Sequence, residues 1–183
     1  MGEELLALYC SQVLGNIKPS NLFTIYNKYC NLDKMVRIWN DNFNKYDIYF
    51  TIISIRENSS SILCYRKNLL SDCIRSNNTK CLLNTYGYET DSIETCIHCL
   101  KKRLAQNEFP HEIGLLLGYP FEDVIGFIEN EGRNYLYSGY WKVYKNKEEK
   151  CKLFNLYNQT RLKYLAAKES HIDILKLIKE SRW

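Results

Sequence analysis

Apolar residues recur along this chain in two patterns, one helical and one extended. Leu5, Leu6, Leu8, Tyr9, Val13 and Leu14 fall at helical spacing, and Gly15 stops the helix they predict. A turn over residues 16–21 follows, with Ser20 as the cap of a short predicted helix through Leu22, Phe23 and Tyr26. Met35, Val36, Ile38, Trp39 and Phe43 predict the next helix. Residues 48–55 are dense in β-branched and aromatic side chains on both alternating faces, the pattern of an interior strand. After the turn-like Glu57-Asn58-Ser59-Ser60, Ile62-Leu63-Cys64-Tyr65 completes an antiparallel hairpin.

Leu69, Leu70, Cys73 and Ile74 predict a helix that runs into the polar break Ser76-Asn77-Asn78. The clearest helix opens at Thr90 or Asp91, where Ile93, Cys96, Ile97, Leu100 and Leu104 form one apolar stripe. The four apolar residues Ile113, Leu115, Leu116 and Leu117, set around Gly114 and before Gly118, fit a short buried strand or a tight helical turn. Pro120 suits the first turn of a helix through Val124, Ile125, Phe127 and Ile128, closed by Gly132. Residues 135–144 read as a strand, and a long helix from about Asn146 uses Cys151, Phe154, Tyr157, Tyr164 and Leu165. Ser170 and Asp173 then cap a last helix carrying Ile172, Leu175 and Ile178. Residues 166–175 resemble half an ankyrin repeat, but one partial copy has no neighbours to stack on, so the stretch reads as an ordinary helix pair.

These elements predict an α/β (α+β) fold. A small, mixed, largely antiparallel sheet from residues 48–55, 62–66, 113–117 and 135–144 is covered by helices. Residues 1–158 are expected to form one domain, with residues 159–183 as a helical extension packed on it.

Composition narrows the function classes. With 183 residues, 45% hydrophobic and 25% charged, the chain can bury a core without metals or disulfides. A net charge of +4 is slight and evenly spread, so nucleic-acid binding is not expected; Lys101-Lys102-Arg103 fits a solvated helix face. The fifteen tyrosines come with many Asn, Lys and Ile, the signature of an A/T-rich genome rather than of stacking platforms. Eight cysteines would suit a disulfide framework, but the acidic start Met1-Gly2-Glu3-Glu4 has no secretory pattern and Leu6 spoils a lipidation signal. No stretch reaches the roughly 18–20 apolar residues that span a bilayer. The expectation is a cytoplasmic protein with reduced thiols and no membrane partner.

Candidate chemistry is sparse. Cys96-Ile97-His98-Cys99 has the spacing of a metal or redox pair, but zinc needs a second ligand pair and Leu100 stands where haem attachment needs His. On a helix Cys96 lies on the apolar stripe, Cys99 at its margin and His98 opposite, so a core role is the competing reading and no metal is expected. Phe109-Pro110-His111-Glu112 offers an acid–base or ligand pair in His111 and Glu112, although neighbours on a strand point to opposite sides. The zinc-protease helix is absent, since Leu115 stands where its second His would be. Gly114, Gly118, Tyr119, Pro120 and Asp123 crowd the same segment, and glycines there allow close approach of a ligand or of backbone. Gly139-Tyr140-Trp141-Lys142 either lines a pocket or packs on a core. There is no phosphate-binding loop and no nucleophile elbow.

The stretch from Phe109-Pro110-His111-Glu112-Ile113-Gly114 through Leu117-Gly118-Tyr119-Pro120 to Phe127-Ile128, continued in Gly139-Tyr140-Trp141-Lys142-Val143-Tyr144, resembles the bacterial family known as domain of unknown function 3793. Weaker likeness lies in residues 15–23 and in Cys64-Tyr65-Arg66, so the resemblance covers most of residues 5–158. Gln12 stands where the family pattern has proline, and the tail after Tyr157 is expected to depart from it. The family occurs in anaerobic Gram-positive bacteria, which implies a bacterial cytosol; it implies no activity.

Two functions remain open from sequence. One is a small-molecule-binding protein or enzyme with a pocket around His111, Glu112, Tyr119, Asp123, Trp141 and Lys142. There His111 and Glu112 do acid–base or contact chemistry and Lys142 pairs an anionic substrate. The other is a non-catalytic interaction module or adaptor in which those residues are structural. No cofactor, substrate or oligomeric state is legible.

Overall fold

The computed structural model describes residues 2–26, 31–106 and 108–180. Met1, named in the acidic start of the chain, lies outside them. The fold mixes helices with two antiparallel sheets, and the chain divides into two compact units, Met1–Leu70 with Thr160–Trp183, and Ser71–Gln159.

In the first unit, helices α1 (Gly2–Tyr9) and α2 (Ser11–Leu14) lead to strand β1 (Ser20–Tyr26) and helix α3 (Leu32–Phe43), then to strands β2 (Ile48–Ile55) and β3 (Ser59–Arg66). The three strands form an antiparallel sheet in the order β1-β3-β2. Residues 20–26 are therefore a strand and not the expected helix. Phe23 and Ile25 are buried while Thr24 and Tyr26 are exposed, and Thr24 meets Ser61 of β3 at 3.2 Å between hydroxyls. Seven cross-strand pairs with β3 outweigh a weak local helical spacing. Ser20 opens the strand and does not precede a helix; its register partner is Tyr65.

The hairpin of β2 and β3 forms as expected, but β3 is the interior strand. The register of β2 shifts between Ile52 and Ser54, and Asn40 of α3 closes its edge. The Asn40 amide donates to the Phe50 carbonyl at 2.9 Å and accepts from the Phe50 N–H at 2.8 Å. The edge is thus satisfied by a side chain in place of another strand. The core of this unit includes Leu6, Val13, Phe23, Trp39, Phe50, Ile62, Tyr164 and Ile178. Arg66 is buried in it, donating to the carbonyls of Val13 (2.6 Å), Leu14 (2.7 Å) and Tyr46 (3.1 Å). It adds donors to the carbonyls that end α2.

The division between units falls within two helices, α4 (Lys67–Arg75) and α9 (Lys147–Glu169). The second unit continues with α5 (Asn77–Thr85), α6 (Ile93–Leu104), α7 (Ile113–Leu116) and α8 (Phe121–Glu129). It closes with the two-stranded hairpin β4 (Tyr137–Ser138) and β5 (Lys142–Val143) before the first part of α9. Helix α10 (Ile174–Glu180) belongs to the first unit, and Asp173 accepts the Leu175 N–H at 2.8 Å at its start. Helix α6 has the predicted stripe, with Ile93, Cys96, Ile97 and Leu100 buried, and Ser92 and Thr95 form a reciprocal cap.

Two of the strands expected for the sheet take other forms. Residues 113–117 are a helical turn. Pro110, His111 and Glu112 offer carbonyls to the N–H groups of Ile113, Gly114 and Leu115. Gly118 at φ +73° ends the turn, with the Gly118 N–H on the Leu115 carbonyl and the Tyr119 N–H on that of Gly114. That is a glycine-terminated helix end, which an extended reading of four apolar residues cannot show. Residues 135–144 are two short strands folded back on each other, and they make a separate sheet.

Candidate functional site

The helix end at Gly118 sets the first wall of a hollow within the second unit. Because Gly118 turns the chain in the left-handed region, Tyr119 is brought over α7, and Pro120 starts α8 directly behind it. Gly114 permits the close fit: a Cβ there would stand 2.9 Å from Val124 Cγ2 and 3.0 Å from Tyr119 Cδ2. Along α8, Asp123, Val124 and Phe127 face the same space, and the hairpin brings Trp141 and Lys142 to its far side. Phe109, His111, Ile113 and Leu117 complete the walls around about 300 Å³. This is the lower end of the size range of small-molecule sites, and the lining is dominated by aromatic and aliphatic groups.

Five of the six residues singled out from sequence meet at this hollow. His111 lies at its rim with its ring 5.5 Å from Phe109 and 4.8 Å from Phe127, and among the described residues its imidazole has no hydrogen-bond partner. Tyr119 stacks on Trp141 at 4.7 Å, and burial raises its hydroxyl pKa above the ordinary value. Trp141 also meets the edge of Phe154 at 4.6 Å. Asp123 is buried and fully engaged. One carboxylate oxygen accepts from the Trp141 indole N–H at 2.7 Å, and the other from the backbone N–H groups of Tyr144 (2.7 Å) and Lys145 (3.2 Å). Lys142 Nζ donates to the Gly132 carbonyl at 2.6 Å and sits over the rings of Tyr135 (4.9 Å) and Phe127 (5.6 Å).

Glu112 is the sixth, and it lies elsewhere. Its side chain is buried, accepting from Arg103 Nε at 2.5 Å and from the Tyr88 hydroxyl at 3.1 Å. Burial first, and then the Glu112 charge, holds the Tyr88 hydroxyl protonated far above its usual range. His111 and Glu112 are successive residues entering a helical turn, so their side chains diverge by about 100°. The structure does not bring them together.

The cysteine motif is divided as its helix requires. Cys96 is buried, Cys99 half-buried and His98 exposed. Burial, with Cys99 and Cys73 nearby, pushes the Cys96 thiol up to about 12. Among the described residues no three His, Cys, Asp or Glu side chains gather where they could hold a metal ion.

Sequence reasoning missed Val124, Phe127 and Leu117 as walls. The signal was present in part: Phe127 follows Asp123 by four residues on α8, so the two share a face. Which face looked into a hollow depended on the hairpin, which no local pattern announces.

Residues 6–178 match the family described as "Protein of unknown function (DUF3793)". The chain belongs to this family. The match runs through most of the tail after Tyr157, so the tail does not depart from the family as expected. No curated protein and no solved structure matches the chain. No helix among the described residues is long and apolar enough to cross a membrane.

Proposed function

We propose that the hollow of the second unit binds a small, largely apolar molecule, and that this DUF3793 protein acts through that binding. The observation that carries the reading is the convergence of His111, Tyr119, Trp141 and Lys142 on about 300 Å³ of aromatic-walled space. Asp123 and Glu112 serve the walls: one anchors the hairpin and the other ties α7 to Arg103. His111 is a polar group available to the ligand, because its imidazole is not engaged by the described residues. A convex or filled surface at this point would have favoured the adaptor reading instead. A bacterial cytosol is the setting of this proposal, supported by the resemblance that also names the family.

A second reading has one observation in its favour. Tyr135, Leu136 and Tyr137 are consecutive exposed apolar residues of the same unit, the kind of stretch that a protein partner covers.

Ligand-observed NMR with a panel of small aryl and alkyl compounds tests the binding reading. Saturation transfer to several of them is expected with wild type and is expected to vanish in Leu117→Trp, which fills the hollow. Equal transfer in both proteins, or none to any compound, overturns it.

A further inference from the structure

We infer that the ligand of this hollow is an apolar monoanion, a carboxylate carried on a compact aryl or alkyl body. The inference rests on the binding reading above and adds the charge of the ligand to it. Its basis is the balance of charge around an otherwise apolar space. Lys142 lines the hollow, and its ammonium has three donors. One is used on the Gly132 carbonyl, and among the described residues no carboxylate pairs with it. The rings of Tyr135 and Phe127 favour the cation without neutralising it.

Asp123 is the one acidic residue on the lining, and it does not compete for this role. Both of its oxygens already accept N–H donors, from Trp141 on one side and from Tyr144 and Lys145 on the other. Its oxygens are turned to those donors, and among the described residues no ion pair joins it to Lys142. The His111 imidazole, also on the lining, offers a further hydrogen bond at the rim. A carboxylate placed between Lys142 and the rim gains a charge-assisted bond, while its body lies against Phe127, Val124 and Leu117. A neutral molecule of the same body would leave the ammonium without an anionic partner, and a cationic one would be repelled by it.

Three compounds with one body and different heads separate these cases: 4-phenylbutyrate, 4-phenylbutanol and 4-phenylbutylamine, titrated calorimetrically into the full chain. The butyrate is expected to bind about tenfold more tightly than the alcohol, and the amine most weakly. Lys142→Met is expected to bring butyrate to within about twofold of the alcohol titrated into the same variant, and Lys142→Arg to retain the preference. If alcohol or amine binds wild type as tightly as the butyrate, the charge assignment is wrong and the binding reading stands. The same holds if Lys142→Met leaves the butyrate preference intact. If none of the three binds, the charge assignment and the binding reading both fall.

Discussion

The indole N–H of Trp141 donates to Asp123 Oδ2 at 2.7 Å, and this bond joins the hairpin to helix α8 inside the second unit. The other carboxylate oxygen takes the backbone N–H groups of Tyr144 and Lys145 just beyond β5. One buried side chain therefore fixes both the ring that forms one wall and the strand that carries Lys142. A carboxylate can accept several donors at once, which explains why an acidic group is tolerated beside so many aromatic rings.

Asp123→Ala should accordingly damage stability. It leaves three buried or half-buried N–H groups without their acceptor, each worth roughly 1–3 kcal/mol when unpaired. A loss of at least about 2 kcal/mol in urea unfolding is expected, with a smaller loss for Asp123→Asn, which keeps an acceptor oxygen. An unchanged unfolding midpoint for Asp123→Ala would show that the hairpin is held by other contacts.

Gly126 makes a prediction in which the sign is decisive. It lies inside α8, where Ala is ordinarily better than Gly by about 1 kcal/mol. A Cβ there, however, would stand 2.4 Å from Tyr144 Cγ and 2.7 Å from its Cβ. Crowding of that kind typically costs about 1–3 kcal/mol. Gly126→Ala should lower the melting temperature; a rise would mean that Tyr144 moves aside freely.

Much of the fold could be read from the chain because local and tertiary preferences agreed. The Ile93 to Leu100 stripe and the β2–β3 hairpin are examples: the residues that want those conformations are also the residues buried by them. Residues 20–26 were misread because Leu22, Phe23 and Tyr26 match a helical spacing, while the deciding partner, β3, lies some forty residues away along the chain. Residues 113–117 were misread because a run of four apolar residues suits either state, and only the left-handed backbone at Gly118 settles it. At the site, His111, Tyr119, Asp123, Trp141 and Lys142 were legible as a group because special residues were concentrated in two short stretches. Glu112 was grouped with His111 by adjacency alone, and a helical turn separates adjacent side chains.

The first unit gives a pH prediction. Lys18 is buried, with its ammonium on Asn21 Oδ1 at 2.6 Å and the thiols of Cys10 and Cys64 nearby. Burial lowers its pKa from 10.5 to about 8. Between those values the unfolded chain binds more protons than the folded one, so stability gains with rising pH in that window. Below about 8 both states carry the charge and its burial cost is present in full. Relative to Lys18→Met, wild type should therefore gain stability as pH rises from about 8 towards 10.5, by on the order of 3 kcal/mol at most. Below pH 7 the difference should be flat. Paired urea titrations from pH 6 to 10 measure it, and a difference that does not move with pH would contradict the assignment.

The most direct test of the binding claim is methyl NMR on the whole chain during titration with 4-phenylbutanol, a neutral probe that does not depend on the charge of Lys142. Occupation of the hollow should shift the methyl signals of Ile113, Leu117 and Val124 saturably, and leave those of Leu6, Val13 and Ile62 in the other unit unmoved. Shifts confined to surface methyls, or no saturable change at Ile113, Leu117 and Val124, would contradict the account.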